Sequence, residues 1–531
     1  MPRLVALAVL LLVLASTAGA ATVRGTARGD RLVGTPRADL LFGLAGTDTI
    51  HGLAGGDFVD PGPGRDVVHS GGGPDSISLE TDGRPDRVLC GPGRDIVTAD
   101  ESDSVGGADC EVVSRRISRD TLRGGPAQHA TEVEPDSHAW GSTIVSVFQV
   151  GRIFDGGAQD IGFATSVGGR LWRPGRLPGV SAGSSPPGRA ARVSDPVVSY
   201  DAERGVWLAV TLGVSPRLTQ LLVSRSTDGL RWDLPVVAAS STSPSLAYDK
   251  VWLACDSWPA SPFRGRCYLA YTDVASHDIV VQVSGDGGLT WSSPRPVPED
   301  REQSVAGAQP VVRPDGTVVV VFVLGEAIAA SRSTNGGGSF EIATTVAQRP
   351  FRPVTGMRAP VLPSADVAPD GTLYVAWHGC GFRPDCRAND VVLSSSPDGV
   401  RWTSPRRLPV AGAMTRTDLF LPALAVSPLA ERFHELAVAY YLMRDARCEL
   451  SACRVDVWAA RSFDGGVTWA ARRVNARTMR LEWIANTNQR RMLADYISVS
   501  FADGLPVPVF SLASPPQAGS FRQAIYAARV P

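Results

Sequence analysis

The sequence predicts an all-β protein built from two successive repeat arrays. The first array repeats every nine residues between positions 25 and 98, and the second repeats with a much longer period between positions 166 and 469. Repeats of both kinds contain short apolar runs separated by Gly, Asp and Pro, which is the pattern of strands joined by turns. At 531 residues the chain is longer than one hydrophobic core usually serves, so several domains or a repeat array are expected.

The nine-residue array begins GTARGDRLV, GTPRADLLF, GLAGTDTIH, GLAGGDFVD. Each Asp is followed two residues later by an apolar residue, such as Leu32, Leu41, Ile50 or Val59. Glycine permits a tight turn, Asp presents oxygen, and the apolar residue points into a narrow core, so each unit is a turn and a very short strand. The repeated carboxylates are Asp30, Asp39, Asp48, Asp57, Asp66 and Asp75, followed after a two-residue slip by Asp86 and Asp95.

These nonapeptides resemble the RTX, or haemolysin-type, calcium-binding family, whose unit is GGxGxDxUx. The resemblance covers about residues 25–98 and implies a parallel β-roll, with Ca²⁺ held between successive turns by the eight Asp residues above. Most units lack the leading Gly-Gly, and Arg28, Arg37 and Arg65 intrude in the turns, which leaves some sites weak or empty. The alternative is a solenoid spacer that binds no metal, although acidic turns without cations would repel one another.

The longer repeat is marked by the motif S-x-D-x-G-x-T-W. Full matches are SGDGGLTW at 284–291 and SFDGGVTW at 462–469, and looser copies occur at 166–172, 226–232, 333–340 and 396–402. A strand-like run precedes each copy, a Pro- or Arg-bearing segment follows it, and two more strand-like runs lie upstream. Four antiparallel strands in each repeat of this length are typical of a β-propeller blade.

The motif is similar to the Asp-boxes, or BNR repeats, of the sialidase-like propeller superfamily, over most of residues 130–531. The resemblance implies that each box is the turn between the third and fourth strands of a blade, on the face away from the active site. Its Asp then takes hydrogen bonds from its own turn, and a motif present in six copies is a poor candidate for one active site. The resemblance thus implies a structural role for Asp228, Asp286, Asp398 and Asp464, and for Trp172, Trp232, Trp291, Trp402 and Trp469.

The number of blades follows from the strands after the last box. Three strand-like runs remain there: DYISVSF (495–501), PVPVFSLA (506–513) and AIYAARV (524–530). Three strands without a fourth predict a seventh blade that is completed by a strand from before residue 134. Such closure removes the exposed edges of an open array, so we predict seven blades, with six as the alternative.

The N-terminus predicts export. Arg3 supplies a positive end, residues 4–14 are an unbroken apolar run, and Ala18-Gly19-Ala20 offers small residues for a signal peptidase. A membrane anchor is the alternative, but the run is short for a bilayer span. We therefore predict a signal peptide over residues 1–20, a secreted, extracellular protein, and no membrane span in the mature chain.

All eight cysteines fall into close sequence pairs. Because an exported protein enters an oxidising compartment, these pairs are expected to form disulfides. A zinc site is the alternative, but CxxC spacing is absent and no His cluster accompanies them. The predicted bridges are Cys90–Cys110, Cys255–Cys267, Cys380–Cys386 and Cys448–Cys453.

The formal net charge of −1 hides an uneven distribution. Residues 22–111 contain 16 acidic residues against 8 Arg, a balance of −8, which leaves +6 for residues 112–531 once Arg3 is counted. The chain has one Lys, Lys250, and 51 Arg, a skew that reflects a GC-rich genome more readily than recognition chemistry. No basic tract interleaves with aromatic residues, which argues against a nucleic-acid-binding protein.

Candidate functional residues lie where the innermost strands of the propeller would start, since the superfamily binds ligands at the mouth of the central channel. Convergent carboxylates there suit a glycosidase acid/base pair or a cation. The alternative is that Asp-Pro and Glu-Pro are simple strand-entry turns. The candidates at these starts are Glu134, Asp195, Asp249, Asp366, Asp495 and Tyr496.

A sialidase also needs three arginines to clamp the substrate carboxylate, a Tyr nucleophile with a Glu partner, and an Asp acid/base. Arg152, Arg358, Arg416 and Arg491 are candidates for the clamp by loop location, and Tyr496 is a candidate nucleophile. No supporting Glu is identifiable, so the sialidase catalytic set cannot be transferred to this sequence.

The sequence thus predicts a signal peptide (1–20), a calcium-binding β-roll (22–111), a linker (112–130) and an Asp-box propeller (131–531). We expect a secreted Ca²⁺-binding protein that acts on or binds extracellular glycans or glycoproteins, with an exo-sialidase-like glycoside hydrolase as the leading enzyme hypothesis. The alternative is a non-catalytic adhesion or glycan-binding protein stabilised by calcium.

Overall fold

The computed structural model describes residues 19–79, 82–106, 109–243, 245–299, 304–412, 414–429 and 434–531. Nearly all regular structure in these residues is strand, beside two short 3-10 helices at Pro384–Cys386 and Leu481–Trp483, so the protein is all-β as predicted. No helix in these ranges has the length and apolarity that crossing a bilayer requires. The predicted signal peptide lies, up to residue 18, outside the described residues.

The chain divides into two compact units. The first runs to Asp95 and adds Ser102–Cys110, and the second comprises Ile96–Glu101 and Glu111–Pro531. The strands of the first unit are β1 (Thr22–Arg24), β2 (Arg31–Val33), β3 (Leu40–Phe42), β4 (Thr49–His51), β5 (Phe58–Asp60), β6 (Val67–His69), β7 (Ser76–Ser78), β8 (Arg87–Leu89) and β10 (Ser104–Gly106).

The first unit is a parallel β-solenoid in which two nonapeptides make one turn. Odd-numbered strands β1 to β7 pair in parallel on one side, and even-numbered strands β2 to β10 pair in parallel on the other. The apolar residue two positions after each Asp is buried between the two sheets, as Leu41, Ile50 and Val59 show with no exposed surface. The nine-residue pattern therefore predicted this narrow core correctly.

The Asp residues of the solenoid form two ladders along its turns. The backbone N–H of each Asp donates to Oδ1 of the Asp one turn later, at 2.7–3.0 Å. The two-residue insertion after Asp75 leaves both ladders continuous, because Asp66 still bonds to Asp86 and Asp75 to Asp95. Asp103, which the nine-residue spacing did not mark, accepts the bond from Asp86. One carboxylate oxygen of each Asp is thereby committed to the fold.

Two turns of the solenoid place leucine in left-handed backbone conformation, at Leu44 (φ 76°) and Leu53 (φ 77°). This conformation costs a residue with a Cβ about 1–2 kcal/mol, whereas glycine adopts it freely. Leu44 is 43% exposed, so its side chain gains little by burial. We expect Leu44→Gly to stabilise the calcium-free solenoid by about 0.5–1 kcal/mol, seen as roughly 2–5-fold slower proteolysis within residues 25–98.

Leu40→Gly is the matched control for that prediction. Leu40 is similarly exposed, at 45%, but it lies in the strand β3. Glycine there loses backbone entropy without relieving a left-handed residue, so it should accelerate the same cleavage. Equal rates for the wild type and Leu44→Gly would show that the turn carries no strain.

The described residues of the second unit contain seven sets of four antiparallel strands, which we number as sheets one to seven. Sheets one and two are joined where Ala158 pairs with Val193, sheet six carries a fifth strand, and sheet seven continues into a parallel strand at Ile96–Ala99. Sheet one is β13 (Val133–Trp140), β14 (Thr143–Ile153), β15 (Ala158–Val167) and β16 (Leu171–Arg176); sheet two is β17 (Arg192–Asp201), β18 (Val206–Ser215), β19 (Leu218–Ser226) and β20 (Val236–Ser241); sheet three is β21 (Tyr248–Cys255), β22 (Cys267–Asp273), β23 (Asp278–Ser284) and β24 (Arg295–Pro296); sheet four is β25 (Val305–Val312), β26 (Val318–Leu324), β27 (Ala327–Ser333) and β28 (Thr344–Gln348).

The remaining sheets continue the same order of strands. Sheet five is β29 (Ser364–Val367), β30 (Leu373–Gly379), β31 (Asp390–Ser396) and β32 (Arg406–Arg407); sheet six is β33 (Asp418–Val426), β34 (Leu436–Met443), β35 (Arg454–Ser462) and β36 (Ala470–Arg473); sheet seven is β40 (Ser498–Ala502), β41 (Leu505–Gln517), β42 (Ser520–Arg529) and β11 (Val112–Arg116). Shorter strands are β9 (Ile96–Ala99), β12 (Ala127–Gln128), β37 (Met479–Arg480), β38 (Asn486–Thr487) and β39 (Arg490–Arg491).

Sheet seven is completed from the opposite end of the chain. β11 pairs antiparallel with β42, with Val113 opposite Arg529 and Arg116 opposite Tyr526. A strand from before residue 134 therefore fills the fourth position, as the sequence predicted. The predicted linker, 112–130, needs correction, because it contains β11 and also β12, which pairs with β14.

The first strands of the seven sheets contact one another in a closed cycle. Each of β13, β17, β21, β25, β29 and β33 contacts the first strand of the next sheet, and β40 contacts both β33 and β13. Side chains reinforce these contacts: Asp136 Oδ2 accepts the N–H of Val198 at 2.8 Å, and Asp366 Oδ2 accepts that of Val426 at 2.7 Å.

β-Bulges near the starts of these first strands position the candidate site. The pairing register shifts between β13 and β14, and at the same place in sheets two, three, four and six. Non-glycine residues in the bulges adopt positive φ, namely Glu134 (53°), Asp195 (47°), Lys250 (50°) and Leu421 (51°). A bulge re-aims a side chain, and charged residues held in this costly conformation are a feature of functional sites.

The four disulfides expected from the sequence are all formed: Cys90–Cys110, Cys255–Cys267, Cys380–Cys386 and Cys448–Cys453. Each closes a local segment of at most 20 residues in separation, so each pins one loop or hairpin. Cys255 and Cys267 join paired positions of β21 and β22.

Candidate functional site

Charged side chains from three bulges and two loops come together in the second unit. We call Glu134, Asp195, Lys250, Arg358 and Asp495 the central cluster. The Lys250 ammonium lies 2.6 Å from Asp495 Oδ2 and 3.6 Å from Asp195 Oδ1, so residues 245 positions apart in sequence are in direct contact. Buried charges are retained only where they are paired, and such clusters are candidate functional sites.

Asp495 is the most heavily paired carboxylate of the cluster. Arg358 Nε donates to Asp495 Oδ1 at 2.7 Å, and the Arg358 Nη2 and Lys250 Nζ groups both donate to Oδ2. The residue is 1% exposed, and burial alone would raise its pKa. Lys250 and Arg358 outweigh that effect and hold the pKa of Asp495 at about 2, so this carboxylate stays ionised.

Glu134 has the opposite electrostatic environment. Its carboxyl accepts a hydrogen bond from Gln149 Nε2, which also donates to Ser194 Oγ at 3.0 Å. Burial first, and then the negative charges of Asp495 and Asp195, raise the pKa of Glu134 to about 8. The Glu134 carboxyl therefore keeps its proton at neutral pH.

The cluster thus contains one protonated and one ionised carboxyl group in each other's electrostatic field. Neighbouring carboxyls whose environments push their pKa values apart are the usual arrangement for an acid and a base in one active site. Glu134 can donate a proton to a leaving group, and Asp495 can stabilise positive charge that develops beside it.

Lys250 is the functional residue that sequence reasoning missed. It is the single Lys of the chain, and its side chain is only 13% exposed. Its own backbone N–H also donates to Asp195 Oδ2 at 2.9 Å. A compact ammonium on a flexible stem can approach several carboxylates at once, which the planar fork of Arg does less readily. The single occurrence of Lys against 51 Arg was the one sequence feature that set this position apart.

The other predicted acids divide between the cluster and the framework. Asp249 is half-buried beside Lys250, and burial, then Asp195 and Asp495, raise its pKa. Asp366 lies elsewhere, because its carboxylate binds the backbone of Val426 and of its own strand. It is a contact between sheets five and six, and we withdraw it as a catalytic candidate.

Tyr496 is placed poorly for the nucleophilic role considered from the sequence. Its hydroxyl donates to the carbonyl of Pro196 at 3.1 Å, and the residue is 6% exposed. Burial, followed by the charges of Glu134 and Asp195, raises its pKa well above the ordinary range. The phenol therefore stays neutral and hydrogen-bonded to the protein.

The four candidate clamp arginines are each bound to protein acceptors within the described residues. Arg358 is paired with Asp495, and Arg152 is 1% exposed with Nε 3.0 Å from Met492 Sδ. Arg491 donates to the carbonyls of Glu482 and Ile484. Arg416 lies 3.8 Å from Asp445 with a side chain that is 65% exposed, outside the cluster. Arg152 and Arg358 lie in each other's electrostatic field, and the Arg358 backbone N–H donates to the Arg491 carbonyl at 2.8 Å, so the arginine clamp stays a prediction.

The opposite side of the cluster is apolar. A cavity of about 20 Å³ touches Lys250, Asp495 and Tyr496 and is otherwise lined mainly by apolar side chains, including Trp252, Leu362 and Leu421. Trp252 and Tyr496 meet edge to face at 4.9 Å. The cavity lining thus combines the charged groups of Lys250 and Asp495 with apolar residues of sheets three, four and six and of the segments before sheets five and seven.

The Asp-box turns lie at the other ends of the same sheets. In sheet three, Lys250 precedes the paired residues Trp252 and Ala270, whereas Ser284 at the box pairs with Cys267 at the far end of β22. Asp286 Oδ1 accepts the N–H groups of Leu289 and Thr290, each at 3.0 Å, and Oδ2 accepts Thr290 Oγ1 at 2.6 Å. Asp228, Asp398 and Asp464 bind their own turns in the same way.

Replacing Asp286 tests the role of these turns. We expect Asp286→Ala to lower the free energy of unfolding by about 1–2 kcal/mol, as loss of a capping carboxylate does, and to leave activity per folded molecule unchanged. Chemical denaturation and an active-site assay on the same preparation measure both quantities. Asp233→Ala, at an exposed position just after another box, is the control for stability. Selective loss of turnover in a stable Asp286→Ala variant would refute the structural role.

The acidic turns of the first unit differ in whether the second carboxylate oxygen of the Asp has a hydrogen-bond partner. Oδ2 of Asp48, Asp57, Asp66 and Asp75 is buried without a hydrogen-bond partner. At Gly43 a Cβ would lie 2.4 Å from both Asp48 Oδ2 and the Pro61 carbonyl oxygen, so the two oxygens face one small space. Orphaned carboxylate oxygens beside backbone carbonyls are the donor set that Ca²⁺ prefers.

The first two Asp residues also face a backbone carbonyl, that of Gly43 at Asp30 and that of Gly52 at Asp39, but their Oδ2 atoms are already hydrogen-bonded. Asp30 Oδ2 accepts both the N–H and the hydroxyl of Thr26, and Asp39 Oδ2 accepts the N–H of Thr35. A threonine of the same turn thus occupies the oxygen that a cation would need. No group of three or more His, Cys, Asp or Glu side chains that could hold a metal occurs in the described ranges, so backbone carbonyls must complete any site.

Comparison with known proteins identifies the first array. A model of the RTX calcium-binding nonapeptide repeat matches residues 24–59 in four copies. Residues 24–59 are RTX calcium-binding repeats. No curated protein sequence matches this chain.

Solved structures similar to the RTX-bearing chain include sialidases and other carbohydrate-active enzymes. An ulvan lyase of a polysaccharide lyase family is 13% identical, with a TM-score of 0.43 over 76% of this chain and 95% of that one. A Hadza microbial sialidase is 17% identical, with a TM-score of 0.39 over 70% and 74%. A sialidase of Streptococcus pneumoniae is 10% identical, with a TM-score of 0.39 over 78% and 70%.

Proposed function

We propose that the chain is a secreted, calcium-binding glycoside hydrolase whose second unit is a seven-bladed β-propeller. The propeller is supported by seven sets of four antiparallel strands, by the cycle of contacts between their first strands, and by the completion of sheet seven by β11. Asp-box turns at one end of the sheets and the central cluster at the other fit the polarity of such a ring. The four disulfides are consistent with an extracellular location.

The observation that carries the enzymatic proposal is the convergence of two buried carboxyl groups, Glu134 and Asp495, whose surroundings shift their pKa values in opposite directions. Glu134 donates its proton to the glycosidic oxygen as the bond from that oxygen to the anomeric carbon breaks. Water then adds to the anomeric carbon and returns a proton to the Glu134 carboxylate, so the acid is regenerated. Asp495, fixed by Lys250 and Arg358, stabilises the positive charge that develops on the reacting sugar ring.

The charge balance of the cluster favours a neutral sugar. Both cations of the cluster already have carboxylate partners: Lys250 lies against Asp495 and Asp195, and Arg358 lies against Asp495. The cluster therefore has no surplus cation for a substrate carboxylate, and Arg152 and Arg491 already bind protein acceptors. We propose neutral glycosides as substrates in preference to sialosides.

A hydrolysis panel tests the activity. The purified full chain, loaded with calcium, is assayed against fluorogenic neutral glycosides, uronides and sialosides. Turnover of a neutral glycoside is the expected result. Release of sialic acid would overturn the neutral-substrate proposal, and no turnover with any class would overturn the enzymatic one.

The small cavity supports one alternative. Its volume of about 20 Å³ is close to that of a single water site, so a whole sugar ring does not fit without movement of the lining residues. A non-catalytic glycan-binding propeller is the function that this observation favours. A glycan array that gives binding by a protein inactive in the panel would identify it.

We further propose that Ca²⁺ binds the RTX array at Asp48, Asp57, Asp66 and Asp75, and not at Asp30 or Asp39. Bound calcium supplies positive charge between the acidic turns and cross-links successive turns through carboxylate and carbonyl oxygens. Burial, together with neighbouring acidic residues, raises the pKa of Asp57 and of Asp66 to about 6. Protons should therefore compete with calcium as the pH falls through about 6.

Removal of calcium is the test of that assignment. We expect a chelator to accelerate proteolysis within residues 25–98 while the second unit stays protected. Asp57→Asn should lower the number of bound Ca²⁺ ions measured by titration calorimetry, whereas Asp39→Asn, whose Oδ2 is already used by Thr35, should not. Equal protection with and without Ca²⁺, or equal stoichiometry in both variants, would contradict the assignment.

A further inference from the structure

His51 and His69 form a stacked pair on the first unit that the calcium ladder does not use. They occupy the ends of the adjacent parallel strands β4 and β6, in direct register. Their rings lie 4.9 Å apart at an interplanar angle of 8°. Because side chains at one register position of neighbouring strands share a face, both imidazoles project outward, opposite the buried Ile50 and Val68.

The two rings are available as ligands. Both residues are half-exposed, and neither imidazole is hydrogen-bonded to another described residue. The other histidines differ: His129 and His434 each bind an Asp, His138 and His378 are enclosed in the second unit, and His277 is an isolated residue in a turn. Among the seven histidines of the chain, only His51 and His69 are stacked on one another.

We propose that His51 and His69 bind one divalent transition-metal ion, of the Zn²⁺ class, through one nitrogen from each imidazole. Zinc–nitrogen bonds of about 2.0–2.1 Å require two nitrogens that share an ion to lie roughly 3–4 Å apart. The ring centroids are 4.9 Å apart, and each nitrogen lone pair lies in the plane of its ring. To share an ion, the two half-exposed side chains must rotate until their ring planes meet at the metal. Water completes the coordination sphere.

The chemistry of this site separates it from the calcium turns. Imidazole suits Zn²⁺, Cu²⁺ and Ni²⁺, whereas Ca²⁺ takes oxygen ligands. The two histidines lie on strands. Asp48 and Asp66 lie three residues before His51 and His69, respectively, and belong to the turns. One solenoid would thus hold two classes of metal in two different donor sets. An ion bridging β4 and β6 cross-links consecutive turns of the solenoid, as Ca²⁺ does at its edges.

Titration calorimetry with Zn²⁺ on the calcium-saturated full chain tests the proposal. We expect one saturable Zn²⁺ per chain. His51→Ala and His69→Ala should each weaken it at least tenfold, and the double variant should lose no more than either single variant, because the two ligands act as a unit. His277→Ala, which removes an exposed imidazole from the second unit, is the matched control and should bind as the wild type does.

The possible outcomes distinguish loss of the zinc site from loss of the solenoid fold. Both alanine variants replace outward side chains, so unchanged circular dichroism and calcium stoichiometry will show that the solenoid is intact. Absence of saturable Zn²⁺ binding in the wild type, or wild-type affinity in both single variants, overturns the proposal. Loss of Zn²⁺ binding in His277→Ala would place the ion elsewhere and overturn it equally.

Discussion

Glu134→Gln is expected to lower kcat for glycoside hydrolysis by roughly 10²–10⁴-fold, because the amide cannot donate the proton that the leaving group needs. The fold should survive, since Gln keeps the shape of Glu and can still hydrogen-bond to Gln149 and its surroundings. Steady-state kinetics and thermal unfolding of the same preparation measure the two effects. The change should fall on kcat more than on KM, as for a group that acts in the transition state.

Glu132→Gln is the matched control for that variant. Glu132 lies two residues away, is fully buried, and has a pKa raised to about 7, chiefly by burial. Its carboxyl accepts a hydrogen bond from Ser118 and belongs to no part of the central cluster. Activity should be unchanged in Glu132→Gln. Equal losses in both variants would show that burial of an acid at the start of β13 or just before it, and not proton donation by Glu134, is what the enzyme requires.

Lys250→Met is expected to lower the free energy of unfolding by about 3–5 kcal/mol, the usual cost of removing one partner from a buried ion-pair network. Methionine fills much of the volume of the Lys stem, so the loss reports on charge and not on a cavity. Asp195 and Asp495 would lose the ammonium that lies 3.6 and 2.6 Å from them. Urea denaturation followed by tryptophan fluorescence measures the change.

Arg231→Met is the control for Lys250→Met. Arg231 pairs with Asp228 at 3.1 Å, but its side chain is 93% exposed, and exposed pairs contribute little. Its removal should leave the denaturation midpoint nearly unchanged. A Lys250→Met protein as stable as the wild type would mean that the central cluster is hydrated and does not hold the first strands together.

The repeat periods predicted the framework of the fold because each period has a direct physical cause. The nine-residue spacing of Asp and apolar residues fixed the solenoid core at positions such as Leu41 and Ile50. The box motif marked the turn after the third strand of each sheet, where Asp286 binds its own backbone. Both features are local, so a single sequence contains them.

The central cluster was predictable only in part. Acids at strand starts pointed to Glu134, Asp195, Asp249 and Asp495, which do converge. The pairing of Asp495 with Lys250 and Arg358 joins residues 245 and 137 positions apart and depends on closure of the ring, which no local pattern encodes. Asp366 shares the same sequence context as the others, but it faces the neighbouring sheet.

The calcium turns offered a signal that the sequence analysis did not use. Thr26 and Thr35 are the threonines of the two units that begin GT-x-R. The hydroxyl or backbone N–H of a threonine can donate a hydrogen bond to a nearby carboxylate. That local bond removes the free oxygen at Asp30 and Asp39. The departures from the nonapeptide consensus therefore distinguish the turns that retain a free oxygen.

The pH dependence of kcat/KM on a hydrolysed glycoside tests most directly the claim that Glu134 is the proton donor beside an ionised Asp495. The raised pKa of Glu134, about 8, keeps its proton in place below that pH, and the lowered pKa of Asp495, about 2, keeps that carboxylate ionised above it. We therefore predict sustained activity from acidic to neutral pH and a fall through about pH 8. A fall centred near pH 4–5, where an ordinary glutamate loses its proton, or no fall by pH 10, would contradict the account.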